Sequence, residues 1–92
     1  MDSLIQTEKE CYRCHRVPVE YHHVLTGALR ANAEKIGAYV WLCPRCHRWA
    51  HDTAKGVKYL RKLKRECQIA FEDTHTRDEW MYYAHRNYRE DE

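Results

Sequence analysis

No stretch of the chain approaches the roughly 18 to 20 apolar residues needed to cross a bilayer, which excludes a membrane-spanning helix. The opening Met1-Asp2-Ser3-Leu4-Ile5-Gln6 has neither the basic start nor the apolar run of a secretory signal, so a cytosolic protein is expected. Internal repeats, low-complexity tracts and a domain linker are also missing. At 92 residues the chain is read as one domain, 1–92. Apolar bulk is scarce. Ile, Leu, Val and Phe supply fifteen positions, charged residues make up 33% of the chain, and the mean hydropathy is −0.91. A chain this short buries only about three-fifths of its unfolded surface, so something besides apolar burial must help to hold it.

Five cysteines and seven histidines are the candidates. Four of the cysteines form two C-x-x-C pairs, Cys11/Cys14 and Cys43/Cys46, which is metal spacing rather than a disulfide framework. Two thiolates separated by two residues can turn toward one tetrahedral ion at about 2.3 Å, and two such pairs close a structural zinc site. Cys67 follows Val57, Leu60 and Leu63 on a helical apolar stripe and reads as an ordinary buried thiol.

Net charge is +2, but it is unevenly spread. From Cys43 to Arg65 eight Lys or Arg stand against one acid, Asp52, whereas from Glu66 to Glu92 eight acids stand against three bases. A basic run alone is more often a solvated helix face than a nucleic-acid footprint and needs a partner signal.

Residues 1–10 carry no strong periodicity and read as a loose arm or a frayed turn of helix. A zinc knuckle at Cys11–Arg16 leads to a strand of about six residues, Val19–Val24. Residues 26–37 read as a long loop with one helical turn, and Tyr39–Leu42 is a second strand that can pair antiparallel with the first. Pro44 suits the first turn of a helix running to Asp52. Gly56 is expected to separate that helix from a longer one at about 57–73, whose stripe is Val57, Leu60, Leu63, Cys67, Ala70 and Phe71. Thr76-Arg77-Asp78-Glu79 is a capping box opening a last helix to about Tyr88, docked by Trp80, Tyr83 and Ala84.

The most informative pattern is His22-His23 at the end of a strand, followed by His47-x-x-x-His51 on a helix. Consecutive strand residues face opposite ways, so one of the pair can bind metal while its neighbour faces substrate. Helix positions i and i+4 share a face, so His47 and His51 can grip a single ion. Three imidazoles, His22, His47 and His51, leave that ion with open positions, as catalysis requires.

Cys11-x-x-Cys14, His22-His23 and Leu42-Cys43-Pro44-Arg45-Cys46-His47 resemble the zinc-knuckle-bearing HNH nucleases, also called His-Me finger or ββα-metal endonucleases. The likeness covers residues 11–52 as the motif. Gly27-x-x-Arg30, Glu34-Lys35-Ile36-Gly37, Gly56-Val57 and Arg86-Asn87-Tyr88 extend it toward small phage and prophage HNH proteins, similar in part to recombination-enhancing nucleases. The resemblance implies a small α+β domain of treble-clef, ββα-metal type: a core at 11–52 with structural zinc at Cys11, Cys14, Cys43 and Cys46, and a C-terminal helical part at 57–90 made of two helices. It also implies metal-dependent hydrolysis of DNA with low sequence specificity, in the cytoplasm of a bacterial host, beside a host recombination protein.

Carried onto this chain, the family's site implies His23 as the general base and His22, His47 and His51 as ligands of a catalytic Mg, Mn, Ni or Zn ion. Arg30, Arg45 and Arg48 could clamp phosphate, and Lys58, Arg61, Lys62 and Arg65 could track the backbone. The family's middle Asn falls at or near Ala38, and Asn32 is the nearest amide. Two alternatives stand beside the nuclease: a non-catalytic zinc module that binds DNA or protein, and an interaction protein using its acidic tail with Trp80, Tyr82, Tyr83 and Tyr88.

Overall fold

The computed structural model describes residues 2–91; Met1 and Glu92, which belong to the arm and the acidic tail read from the sequence, lie outside the described residues. The fold is a small α+β unit. Strand β1 (Glu20–His23) pairs antiparallel with β2 (Tyr39–Leu42), setting Glu20 opposite Leu42 and His23 opposite Tyr39. Helices α1 (Arg30–Ile36), α2 (Pro44–Asp52), α3 (Ala54–Glu72) and α4 (Arg77–Ala84) complete it, with short 3₁₀ turns at Gly27–Leu29 and Tyr88–Asp91. Among the described residues no helix is long and apolar enough to cross a membrane.

β2 has the expected bounds, but β1 is four residues long rather than six. Val24 and Leu25 are successive and both buried, which an alternating strand cannot achieve, so the chain leaves the sheet after His23. The segment expected as a loop is instead the two-turn helix α1. Ala33 and Ile36, three apart, bury one side of it, and Gly37, at φ 80°, closes it with its N–H on the Ala33 carbonyl. Asn32 donates to the Tyr83 carbonyl at 2.9 Å and ties α1 to α4.

The arm is not loose. The Leu4 N–H reaches the Gly37 carbonyl at 2.8 Å, Gln6 Oε1 accepts from the Trp41 N–H at 2.8 Å, and the Tyr12 N–H reaches the Trp41 carbonyl at 2.8 Å. The two bonds to Trp41, with that from the Ser3 hydroxyl to the Tyr39 carbonyl, lie along the edge of β2 that β1 does not use, and the Leu4 bond falls just before the strand.

The helix break after α2 falls at Thr53, not at Gly56. The Thr53 hydroxyl donates to the Trp49 carbonyl at 2.8 Å and accepts from the Gly56 N–H at 2.9 Å, so one side chain caps two helices. Gly56 is the third residue of α3, and its lack of a side chain serves packing. A Cβ there would sit 2.2 Å from the Trp49 carbonyl oxygen and 2.5 Å from the Ala50 Cα.

A single core joins Val40 and Leu42 of the sheet to Leu63, Cys67 and Phe71 of α3 and to Trp80 and Ala84 of α4. Val57 does not belong to the α3 stripe; it is 58% exposed, and its neighbour Gly56 takes the buried position against α2. The capping box of α4 forms as expected, but the helix ends at Ala84, with His85 in the left-handed conformation. The chain then turns so that Tyr88 can be buried. Gln68 fixes that turn by accepting from the Tyr88 N–H at 2.7 Å and donating to Asn87 Oδ1 at 2.7 Å. Trp80 and Tyr88 are therefore core and only Tyr82 is well exposed, so these aromatics do not form a contact patch.

Gly56→Ala should lower stability by about 1–3 kcal/mol, because the clash is with backbone that cannot rotate away; an unchanged thermal midpoint would refute the close approach. A second prediction concerns Glu72, which accepts from Arg77 at 3.0 and 3.1 Å, Gln68 at 2.6 Å and Arg89 at 2.9 Å. Arg77 first, and then Gln68 and Arg89, hold its carboxyl below the usual range. The stability this adds is complete above the ordinary glutamate pKa of about 4.3 and is lost as pH falls through the lower folded value. Urea midpoints measured against pH should show an acid limb that Glu72→Gln flattens.

Candidate metal centres

Two clusters of ligand side chains meet on α2. The hairpin delivers the chain from β2 directly into the helix, and Pro44 occupies the first turn, where its missing N–H costs nothing. Cys43 is the N-cap and Cys46 lies one turn in, its N–H donating to Cys43 Sγ at 3.4 Å. The knuckle repeats the arrangement, with the Cys14 N–H donating to Cys11 Sγ at 3.5 Å and the His15 N–H returning to the Cys11 carbonyl at 2.8 Å.

The four sulfurs lie within 4.8 Å of one another, and Cys14 Sγ is 3.7 Å from Cys43 Sγ. A tetrahedron with metal–sulfur bonds of about 2.3 Å has edges of about 3.8 Å, so the donor set fits a bound metal such as zinc. The cysteines do not titrate alike without one. Burial raises the Cys11 thiol, but backbone N–H groups at Cys43, Cys14 and Arg13 outweigh it and bring the pKa down to about 6. Burial pushes Cys46 up to about 12, against the Arg13 guanidinium that donates to its sulfur at 3.5 Å. Arg13 is also stacked 3.7 Å over the Trp49 ring, which holds its charge beside the thiolates. Cys67 stays apart, buried in the core, its thiol raised to about 12 by burial and by the charge of Glu66.

His47 follows Cys46 by one residue, about 100° around the helix, so α2 presents sulfur to one cluster and imidazole to another. His51 lies one turn further on the imidazole face. His22 reaches the same point from β1, opposite buried Val40. The ligand nitrogens of His22, His47 and His51 lie within 4.8 Å of one another, with ring centroids 5.0 to 5.5 Å apart. His22 is buried while His51 is exposed, so the group is anchored at one side and open at the other. Burial, and then the neighbouring His47 and His51, lower the His22 pKa to about 4, keeping it in the neutral, ligating form. These three histidines can hold a metal ion.

Two carboxylates pair with histidines here that sequence reading missed. Glu20 Oε1 accepts from His47 Nδ1 at 2.8 Å, which leaves Nε2 to face a metal. Glu34 Oε1 lies 3.0 Å from His23 Nε2. Neither pairing follows a short sequence spacing. The first depends on β1 lying beside α2, and the second on α1 folding back over the end of β1.

A cavity of about 220 Å³ is lined by Tyr21, His22, His23, Thr26, Arg30, His47 and His51, which places His23 and Arg30 beside the three-histidine group. Arg48 lines a second cavity, of about 350 Å³, with Glu20, His47, His51 and Asp52. Arg45 is exposed on α2 and lines neither. Lys58, Arg61, Lys62 and Arg65 come together with Tyr88 around a separate groove on α3. Ala38 is fully buried, and Asn32 is directed to Tyr83 on α4.

Cys11→Ser or Cys46→Ser should release the metal and unfold the domain, read as lost bound zinc together with lost helical circular dichroism. A variant that stays folded and metal-loaded would contradict a structural role for these sulfurs. Compared with known proteins, the chain matches no protein-family model, no curated protein and no solved structure.

Proposed function

We propose that this protein is a metal-dependent endonuclease of the HNH type that hydrolyses DNA phosphodiester bonds. The observation that carries the reading is the convergence of His22, His47 and His51 on one point, with His23 and Arg30 lining the same cavity. A zinc ion at Cys11, Cys14, Cys43 and Cys46 would hold the hairpin to α2. A divalent ion held by His22, His47 and His51, with Mg, Mn, Ni and Zn as candidates, would neutralise charge on the phosphate and on the departing oxygen.

His23 acts as the base in this scheme. A neutral imidazole takes a proton from water, the water oxygen bonds to phosphorus, and the bond from phosphorus to the 3′ oxygen breaks. Arg30 and Arg48 line cavities beside the histidines and would hold non-bridging oxygens. Arg45, Lys58, Arg61, Lys62 and Arg65 would contact the backbone further away. None of these groups reads a base edge, so sequence specificity is low. By resemblance, the cellular setting is phage recombination alongside a host recombination protein.

Two observations favour a second reading, a zinc-bearing module that binds DNA or protein without cutting. Ala38 offers no side chain where the resemblance expects an amide, and Asn32 is engaged elsewhere. Supercoiled plasmid incubated with Mg, Mn, Ni or Zn, with EDTA as control, separates the two. The nuclease should nick it in a metal-dependent way, and His23→Ala should cut at least about 100-fold more slowly while retaining DNA in a gel shift. No cleavage with any of the four metals, together with salt-sensitive DNA retention, would establish the second reading.

A further inference from the structure

Three histidines of this chain pair with carboxylates, and they do so differently. His15 meets Glu10 on the exposed knuckle. His47 presents Nδ1 to Glu20. His23 presents the opposite nitrogen, Nε2, to Glu34. A carboxylate can only accept, so the nitrogen facing it carries the proton and the other ring nitrogen holds the lone pair.

We infer that Glu34 is the positioning residue for His23, its carboxylate fixing the ring proton on Nε2 and thereby making Nδ1 the basic nitrogen. This rests on the reading of His23 as the base, and it names the device that prepares it. Three contacts converge on the arrangement. The edge of the Tyr21 ring packs on the imidazole, with centroids 4.7 Å apart and planes at 71°. Glu34 holds the imidazole from α1. That helix is itself held on its other side by the hydrogen bond from Asn32 to the Tyr83 carbonyl. His23 is thus oriented by a side chain from the β1–β2 connection, and α4 braces that connection. Glu34 is mostly exposed, so its removal tests orientation rather than folding.

The test has two independent arms. In long-range proton–nitrogen spectra of ¹⁵N-labelled protein, taken without DNA about 1.5 units above the ordinary histidine pKa of about 6.5, His23 signals are assigned by their loss in His23→Gln. Wild type should show the Nε2–H tautomer alone. Glu34→Ala should show a mixture of both tautomers, and Glu34→Gln, whose amide oxygen still accepts, should restore the wild-type pattern. The same ring nitrogen shifts in wild type and Glu34→Ala would overturn the inference. In plasmid cleavage, Glu34→Ala should lower kcat by about tenfold to a hundredfold with KM for DNA nearly unchanged, and Glu34→Gln should recover most of the loss. Unchanged kcat, or a rise in KM alone, would also overturn it. Absence of cleavage by wild type would remove the endonuclease reading, while the tautomer spectra would still decide the role of Glu34.

Discussion

The gathering of four sulfurs is the constraint on which the rest of this molecule depends. A 92-residue chain with fifteen Ile, Leu, Val and Phe residues has little apolar area to spend on ordering its N-terminal half. Cys11 and Cys14 lie before the hairpin, and Cys43 and Cys46 lie after it, at the start of α2. Joining the two pairs holds the hairpin against the helix, where His22 from β1 lies beside His47 and His51. Because Cys46 and His47 are adjacent on one helix, the orientation that satisfies the sulfurs also sets the imidazoles. Order in one cluster is inherited by the other.

The two clusters differ in the way their surroundings suit them to different work. The sulfur group is largely buried and bordered by Arg13, whose charge is held over Trp49. The histidine group is buried only at His22 and opens through His51 toward cavities that contain Arg30 and Arg48. Carboxylates at Glu20 and Glu34 flank the open group, one on a candidate ligand and one on its neighbour. In the proposed function, the closed sulfur site holds the fold and the open imidazole site meets the substrate.

Features that depend on local chemistry were legible in the residues. The two C-x-x-C pairs, the His-x-x-x-His face, Pro44 at the first turn of α2, the bounds of β2 and the Thr76–Glu79 capping box all express short-range rules. The misreadings came where a residue type serves two purposes. Gly56 looks like a helix breaker but is a packing residue inside α3, while the break belongs to Thr53, whose capping pattern was present in the sequence. The segment 30–36 looked too short to be a helix, yet Gly37 stands directly after it as a left-handed cap. The Glu20 and Glu34 pairings had no signal of their own, because each joins elements brought together only by the fold.

The bonds that the N-terminal arm makes to β2 have a consequence beyond holding the arm down. A two-stranded sheet has two open margins, and a row of unsatisfied N–H and carbonyl groups is a template on which another extended chain can add itself. Here the outer margin of β2 is spent on Ser3, Gln6 and Tyr12 of the same molecule. The arm thus acts as a guard against self-association, keeping a half-exposed aromatic hairpin, with Tyr21, Tyr39 and Trp41 on one face, from recruiting copies of itself into a growing ribbon.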